Sequence, residues 1–218
     1  MAQLFPPRAN TFMRWGLLAA ALSPFVLIGW TYAVMNSPYV TGEDRIPEQP
    51  VPFSHAHHVG ALGLDCRYCH TSVETSEFAG LPPTETCMTC HSQLWTQAEM
   101  LAPVRNSLAT GTPLRWKRVH DLPDYVYFDH SVHVANGVGC TTCHGPVDEM
   151  PLMRQSAPLT MGWCLDCHRD PAKALRPEDE IFATDWQPPP DQAERGEALL
   201  KHYHISVPHL TDCSVCHR

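Results

Sequence analysis

All ten cysteines of this 218-residue chain fall into five C-x-x-C pairs, and a histidine follows each pair directly: CRYCH at 66–70, CMTCH at 87–91, CTTCH at 140–144, CLDCH at 164–168 and CSVCH at 213–217. With 14 histidines in the chain, five such coincidences arise by chance about once in a million, so the repeated offset carries chemical information. Five disulfides, or four-thiolate zinc sites built from pairs of C-x-x-C, would use the same cysteines. Neither explains a histidine at one fixed position five times. Covalent haem c attachment does: two thiols form thioethers to one porphyrin, and the adjacent histidine becomes the proximal iron ligand.

The expectation is therefore five haems c. They are held by Cys66 and Cys69, Cys87 and Cys90, Cys140 and Cys143, Cys164 and Cys167, and Cys213 and Cys216, with His70, His91, His144, His168 and His217 as proximal ligands. Five six-coordinate irons need five distal ligands, and nine histidines lie outside the motifs. Two of the motifs are preceded by a common frame, F-x-H-x-x-H-V, in FSHAHHV at 53–59 and FDHSVHV at 128–134. Histidines three apart share one helix face, so His55 with His58, and His130 with His133, can each address two different haems. His57 has no counterpart, because Val132 stands at its position in the second frame. It reads as a solvent-facing or propionate-contacting side chain, and His202, His204 and His209 read as surface or hydrogen-bonding residues. The fifth distal ligand is assigned to His120, with Met161 as runner-up and Met150 or Met153 as further possibilities. Met88, inside a C-x-x-C, is poorly placed to reach a neighbouring iron.

The frames also mark a duplication. Phe53 to Phe128 is a step of 75 residues, Cys66 to Cys140 of 74 and Cys87 to Cys164 of 77, a regularity expected of a repeated unit carrying two haems and one H-x-x-H. The reading divides the chain into a segment 1–14, a membrane helix 15–35, a linker 36–52, a first two-haem repeat 53–127, a second at 128–175, and a Pro-rich acidic connection with the fifth haem at 176–218. Twenty-one prolines and the lack of sustained alternation argue against a sheet. The expected fold is mainly α with extensive irregular loops, the porphyrins supplying much of the apolar interior. The stretch from Arg176 to Glu194 reads as a surface connection. A net charge of −8, made more negative by haem propionates, speaks against a nucleic-acid partner.

Residues Trp15 to Met35 are 21 residues without a charge, about 32 Å of helix and enough to span a bilayer. Arg8 and Arg14 precede the run, whereas Glu43, Asp44 and Glu48 follow it with only Arg45 in opposition. The positive-inside rule then puts the N-terminus in the cytoplasm and the haem region outside. A cleaved signal peptide is the competing reading, against which stand the length of the run and the lack of a clean A-x-A site after it.

Beyond the anchor and frames, the chain carries PPTETCMTCH at 82–91, VHDLPDYVYFDHSVHV at 119–134, MPL at 150–152, LTMGWCLDCHR at 159–169 and a terminal DCSVCHR. Over nearly its whole length it resembles the pentahaem cytochrome c subunit of bacterial alternative complex III, and its local grammar resembles class III multihaem cytochromes. The class III pattern implies that His55 serves the haem of His70 and His130 that of His144, leaving His58 and His133 for other haems. The complex III resemblance implies an electron relay rather than a catalyst. Its neighbours would be an iron–sulfur subunit, a quinol-site membrane subunit and a monohaem cytochrome c, and electrons would leave to a periplasmic carrier or an oxidase. Two other readings stay open: a self-sufficient, singly anchored quinol dehydrogenase, and a catalytic multihaem reductase, which would need a five-coordinate haem.

Overall fold

The computed structural model describes residues 5–217; the first four residues of the N-terminal segment and Arg218 of the terminal motif lie outside them. The described residues form helices and loops without a named strand, their isolated bridge joining Val138 and Leu175. The chain divides into two compact units, one ending at Gly42 and the other starting at Glu43.

The first unit contains α1 (Arg8–Met35) and the short α2 (Pro38–Thr41). No residue of α1 is buried, and its apolar composition and 28-residue length suffice to cross a membrane. Pro24 lies inside it.

In the second unit the C-x-x-C spacing is itself helical, since positions i and i+3 lie on one face of a turn. α3 (Cys66–Cys69), α7 (Cys140–His144) and α10 (Cys213–Cys216) are little more than the motif, whereas α4 (Thr84–His91) and α8 (Met161–Arg169) reach it in their last turn. Short helices need caps to hold their first turn. Asp65 accepts from Arg67 N before α3, and Thr160 from Trp163 N before α8. The second frame forms α6 (His130–Ala135), capped by Asp129, which accepts from the backbone of Ser131 and Val132. The first frame instead forms a π-helical turn, Ala56–Ala61. α5 (Ala102–Thr110) follows α4 and ends at Gly111 in the left-handed region, φ 63°. α9 (Gln192–His202) packs on the 3-10 turn Pro171–Lys173.

The core made by side chains is small and split. Val51, Leu101 and Val104 form one cluster, joined by Met88, Leu114 and Trp116; Val73, Val134 and Ile181 form another with Ala79 and Phe182. Part of the segment read as linker belongs to this unit. Val51 is buried, Asp44 pairs with Arg154 and donates its N–H to Gln155 O, and Gln49 exchanges two hydrogen bonds with the Lys117 backbone. The stretch from Arg176 is likewise not a surface connection throughout. Arg176 is 2% exposed and Ile181 is buried, because Thr141, Thr142 and backbone carbonyls supply acceptors that let the guanidinium leave water.

Candidate haem sites

The phenylalanine and histidine rings of the two frames are arranged almost identically, although one frame is a π-helical turn and the other an α-helix. Phe53 meets His55 edge-on at 4.9 Å and stacks on His58 at 4.4 Å; Phe128 meets His130 edge-on at 4.8 Å and stacks on His133 at 4.4 Å. In each, the second histidine's Nδ1 donates to the carbonyl four residues back, His58 to Ser54 at 2.8 Å and His133 to Asp129 at 2.7 Å. The duplication seen as a spacing is thus a duplication of side-chain geometry.

Carbonyl oxygens accept but never donate, so such bonds fix the proton on Nδ1 and leave the Nε2 lone pair for a metal. The same bond recurs at His70 to Gly80 O (2.7 Å), His91 to Leu94 O (3.2 Å), His130 to Glu77 O (2.8 Å), His168 to Leu210 O (2.9 Å) and His217 to Tyr125 O (3.1 Å). His202 and His209 behave otherwise. Their rings are exposed, His202 Nε2 lies 3.6 Å from Glu178 and His209 Nδ1 3.3 Å from Asp212. His204 is exposed at φ 55°. His57 stacks on Trp95, centroids 5.4 Å apart.

Two imidazoles on one iron, at about 2 Å per metal–nitrogen bond and about 1 Å from nitrogen to ring centre, put their centroids about 6 Å apart. Three pairs have this separation: His58 with His91 at 6.2 Å, His130 with His144 at 6.2 Å and His133 with His168 at 6.1 Å. His55 lies within electrostatic reach of His70. The residues present fit haem iron. Burial holds His55 at about 4 and, with the neighbouring His120 and His130 rings, His144 at about 3. Both are neutral at pH 7, the form that ligates.

His120 is buried among the same rings, 4.3 Å from His144 and nearly perpendicular to it. That is too close for an iron between those two rings. Its Nε2 has no hydrogen-bond partner and desolvation lowers it to about 4. His217 stands beside the Tyr125 ring at 6.0 Å. Met161 is 68% exposed, whereas Met150 is buried in the second unit.

The thiols run in a single file of neighbours. Cys87 lies within electrostatic reach of Cys69, Cys66 lies beside Cys140, Cys143 feels Cys164 and Cys167, and Cys164 feels Cys216. Tyr68 and Thr89 hydroxyls, 2.9 Å apart, tie the first two motifs, and Tyr127 N donates to Cys216 O at 2.8 Å.

Residues 126–218, which include the second frame and the last three motifs, match the family model of cytochrome c7 and related cytochrome c. The chain carries a cytochrome c7-like multihaem domain. Covalently bound haem c, which that family implies, is the cofactor its C-x-x-C-H motifs fit. The cytochrome is also 39% identical over 98 residues to the menaquinone reductase multihaem cytochrome c subunit of Nitratidesulfovibrio vulgaris, a match covering 44% of this chain and 46% of that protein. It is 33% identical over 86 residues to cytochrome c-552 of Desulfotalea psychrophila, covering 36% of this chain and 15% of that protein. The matched segments thus span less than half of either relative. Sequence reasoning missed Arg176, whose acceptors Thr141 and Thr142 lie far from it along the chain.

Proposed function

We propose that the cytochrome binds five haems c and relays electrons along them in one file, in the order of the proximal ligands His91, His70, His144, His168 and His217. The observation that carries this reading is the set of three histidine pairs at the iron-spanning separation, seated on motifs that neighbour one another in that order. The proximal ligands are those five histidines. The distal ligands are His55 for the haem of His70, His58 for His91, His130 for His144 and His133 for His168. His120, with its buried and unpartnered Nε2, is the fifth distal candidate. Two histidines on an iron leave no position for a substrate, so the chain is a relay, and its side chains tune potential through ligation, hydrogen bonding and burial.

In this reading α1 is a single-pass anchor in the cytoplasmic membrane, with the N-terminus cytoplasmic and the haem domain outside, where haem c is attached. The cytochrome serves a quinol-oxidising assembly of the alternative complex III type, between an iron–sulfur subunit fed by a quinol-site membrane subunit and a monohaem cytochrome c. The similarity to a menaquinone reductase subunit supports a quinone-linked complex of this general kind. A second reading is favoured by the packing of residues 43–52 on the haem domain, which leaves less free spacer after α1: a self-sufficient anchored quinol dehydrogenase feeding a periplasmic reductase. Mild detergent extraction decides between them. Recovery in a large complex with a quinol-site subunit and five haems per chain by haemochrome assay supports the relay subunit; an active monomer supports the dehydrogenase.

A further inference from the structure

Among the described residues Arg176 is one of the most buried side chains, and no acidic side chain pairs with its charge. Its residue is 2% exposed. Nη1 donates to Ala183 O at 3.0 Å and Glu180 O at 3.4 Å, and Nη2 to the hydroxyls of Thr141 at 2.6 Å and Thr142 at 3.2 Å. The Trp186 ring covers the guanidinium, 4.3 Å from its carbon to the ring centre. Nε has no partner. Every acceptor is neutral, and among the described residues no acidic side chain forms an ion pair with it. Glu180 contributes its backbone oxygen at the contact and only a more distant charge from its carboxylate.

The place of this charge is specific. Thr141 and Thr142 are the two interior residues of CTTCH, so the guanidinium grips the motif between Cys140 and Cys143. Gly139, immediately before it, leaves the space the group fills: a Cβ there would meet the guanidinium carbon. Contacts to neutral oxygens do not cancel the charge of a guanidinium, and an arginine does not escape burial by losing its proton. Its field therefore persists in a poorly screened interior. Iron going from ferric to ferrous loses one positive charge, which such a field favours.

Resting on the relay reading above, we propose that Arg176 raises the reduction potential of the haem held by Cys140, Cys143 and His144, the middle member of the file. The cation makes that haem easier to reduce than its ligands alone would, between two neighbours on each side. Electrons collect there from one arm and leave by the other. Thr141 and Thr142 are how the motif itself holds the cation in place.

The test is an optical redox titration of the purified holo-cytochrome, with haemochrome counting of each variant. Arg176→Met should lower one midpoint of the set so that the reduced-to-oxidised ratio of that haem falls at least tenfold at fixed ambient potential, about 59 mV for one electron. Arg176→Lys should retain most of the wild-type value. Equal shifts in both variants assign Arg176 a structural role and overturn the proposal, as does an unchanged set of midpoints in Arg176→Met. Where Arg176→Met does not accumulate with its full haem content, Glu180→Gln serves instead, since it leaves the buried contacts intact and removes the nearest opposing charge. It should raise one midpoint, and no shift there sinks the proposal. A haem count below five in the wild-type protein would instead count against the five-haem reading while leaving the potential of the His144 haem measurable.

Discussion

Phe53 and Phe128 each stand between two histidines and hold them at nearly the same angles, 88° and 24° in the first frame and 88° and 27° in the second. That agreement was legible in the sequence because a repeat of 75 residues kept the phenylalanine and both histidines in phase. Val132, at the position of His57, sets that imidazole outside the repeat. The prediction at this scale is spectroscopic. His55→Ala, His58→Ala, His130→Ala and His133→Ala should each leave one ferric haem five-coordinate or water-bound, adding a high-spin signal in electron paramagnetic resonance and one carbon monoxide site when reduced. His57→Ala should do neither. His120→Ala should add a high-spin signal of its own; a fully low-spin spectrum there would make His120 a neighbour of His144 rather than a ligand. Arg176 was illegible from its sequence neighbours. It opens the run RPEDE, whose composition is that of a solvated loop, and its acceptors Thr141 and Thr142 lie 35 and 34 residues earlier in the chain.

Helices of four or five residues do not persist alone, since a turn costs more to nucleate than it returns. Of those that consist of C-x-x-C, α3 has the Asp65 cap while α7 and α10 have no side-chain cap, so they depend on the ring tethered to them. The absence of a named strand among the described residues agrees with the reading of the prolines, whereas the π-helical turn of the first frame had no sequence signature. Such turns are rare and collect at functional sites. A firmer contact is α9 against Pro171–Lys173. Gln192 Nε2 donates to Ala172 O at 2.8 Å and Leu175 O at 3.0 Å, and a Cβ on Gly196 would lie 2.2 Å from Ala172 O. A backbone oxygen cannot swing aside. Gly196→Ala should therefore destabilise the domain by about 1–3 kcal/mol, read as a lower midpoint in thermal unfolding of the holo-protein. A substitution without effect would mean that α9 is not docked there.

Only eleven apolar residues are buried among those described, and they fall in separate patches, few for a domain of this length. Conformational entropy on the order of 1–2 kcal/mol per residue must be met from elsewhere, and the tethered porphyrins are the apolar mass available. The chain produced without haem attachment should be degraded by a trace of protease that leaves the holo-protein intact, with far-ultraviolet dichroism near that of an unfolded chain. The orientation of α1 has its own assay. Protease added to intact spheroplasts should remove the haem domain and spare the first dozen residues, and a protected haem domain would reverse the topology. The apolar run of α1 and the motifs were both legible because each is a local pattern; which motifs neighbour one another was not, because that depends on contacts across the fold. One consequence of those contacts lies in the ring planes. His130 and His144 are 9° from parallel, His133 and His168 are 30° apart, and His58 and His91 are 68° apart. Parallel imidazoles split the iron orbitals of π symmetry and give rhombic spectra, whereas crossed rings leave those orbitals nearly degenerate and strongly anisotropic. If these pairs are the iron ligands of the proposed relay, they should carry different magnetic signatures, and the arrival of an electron at a given iron could be followed in the unmutated protein.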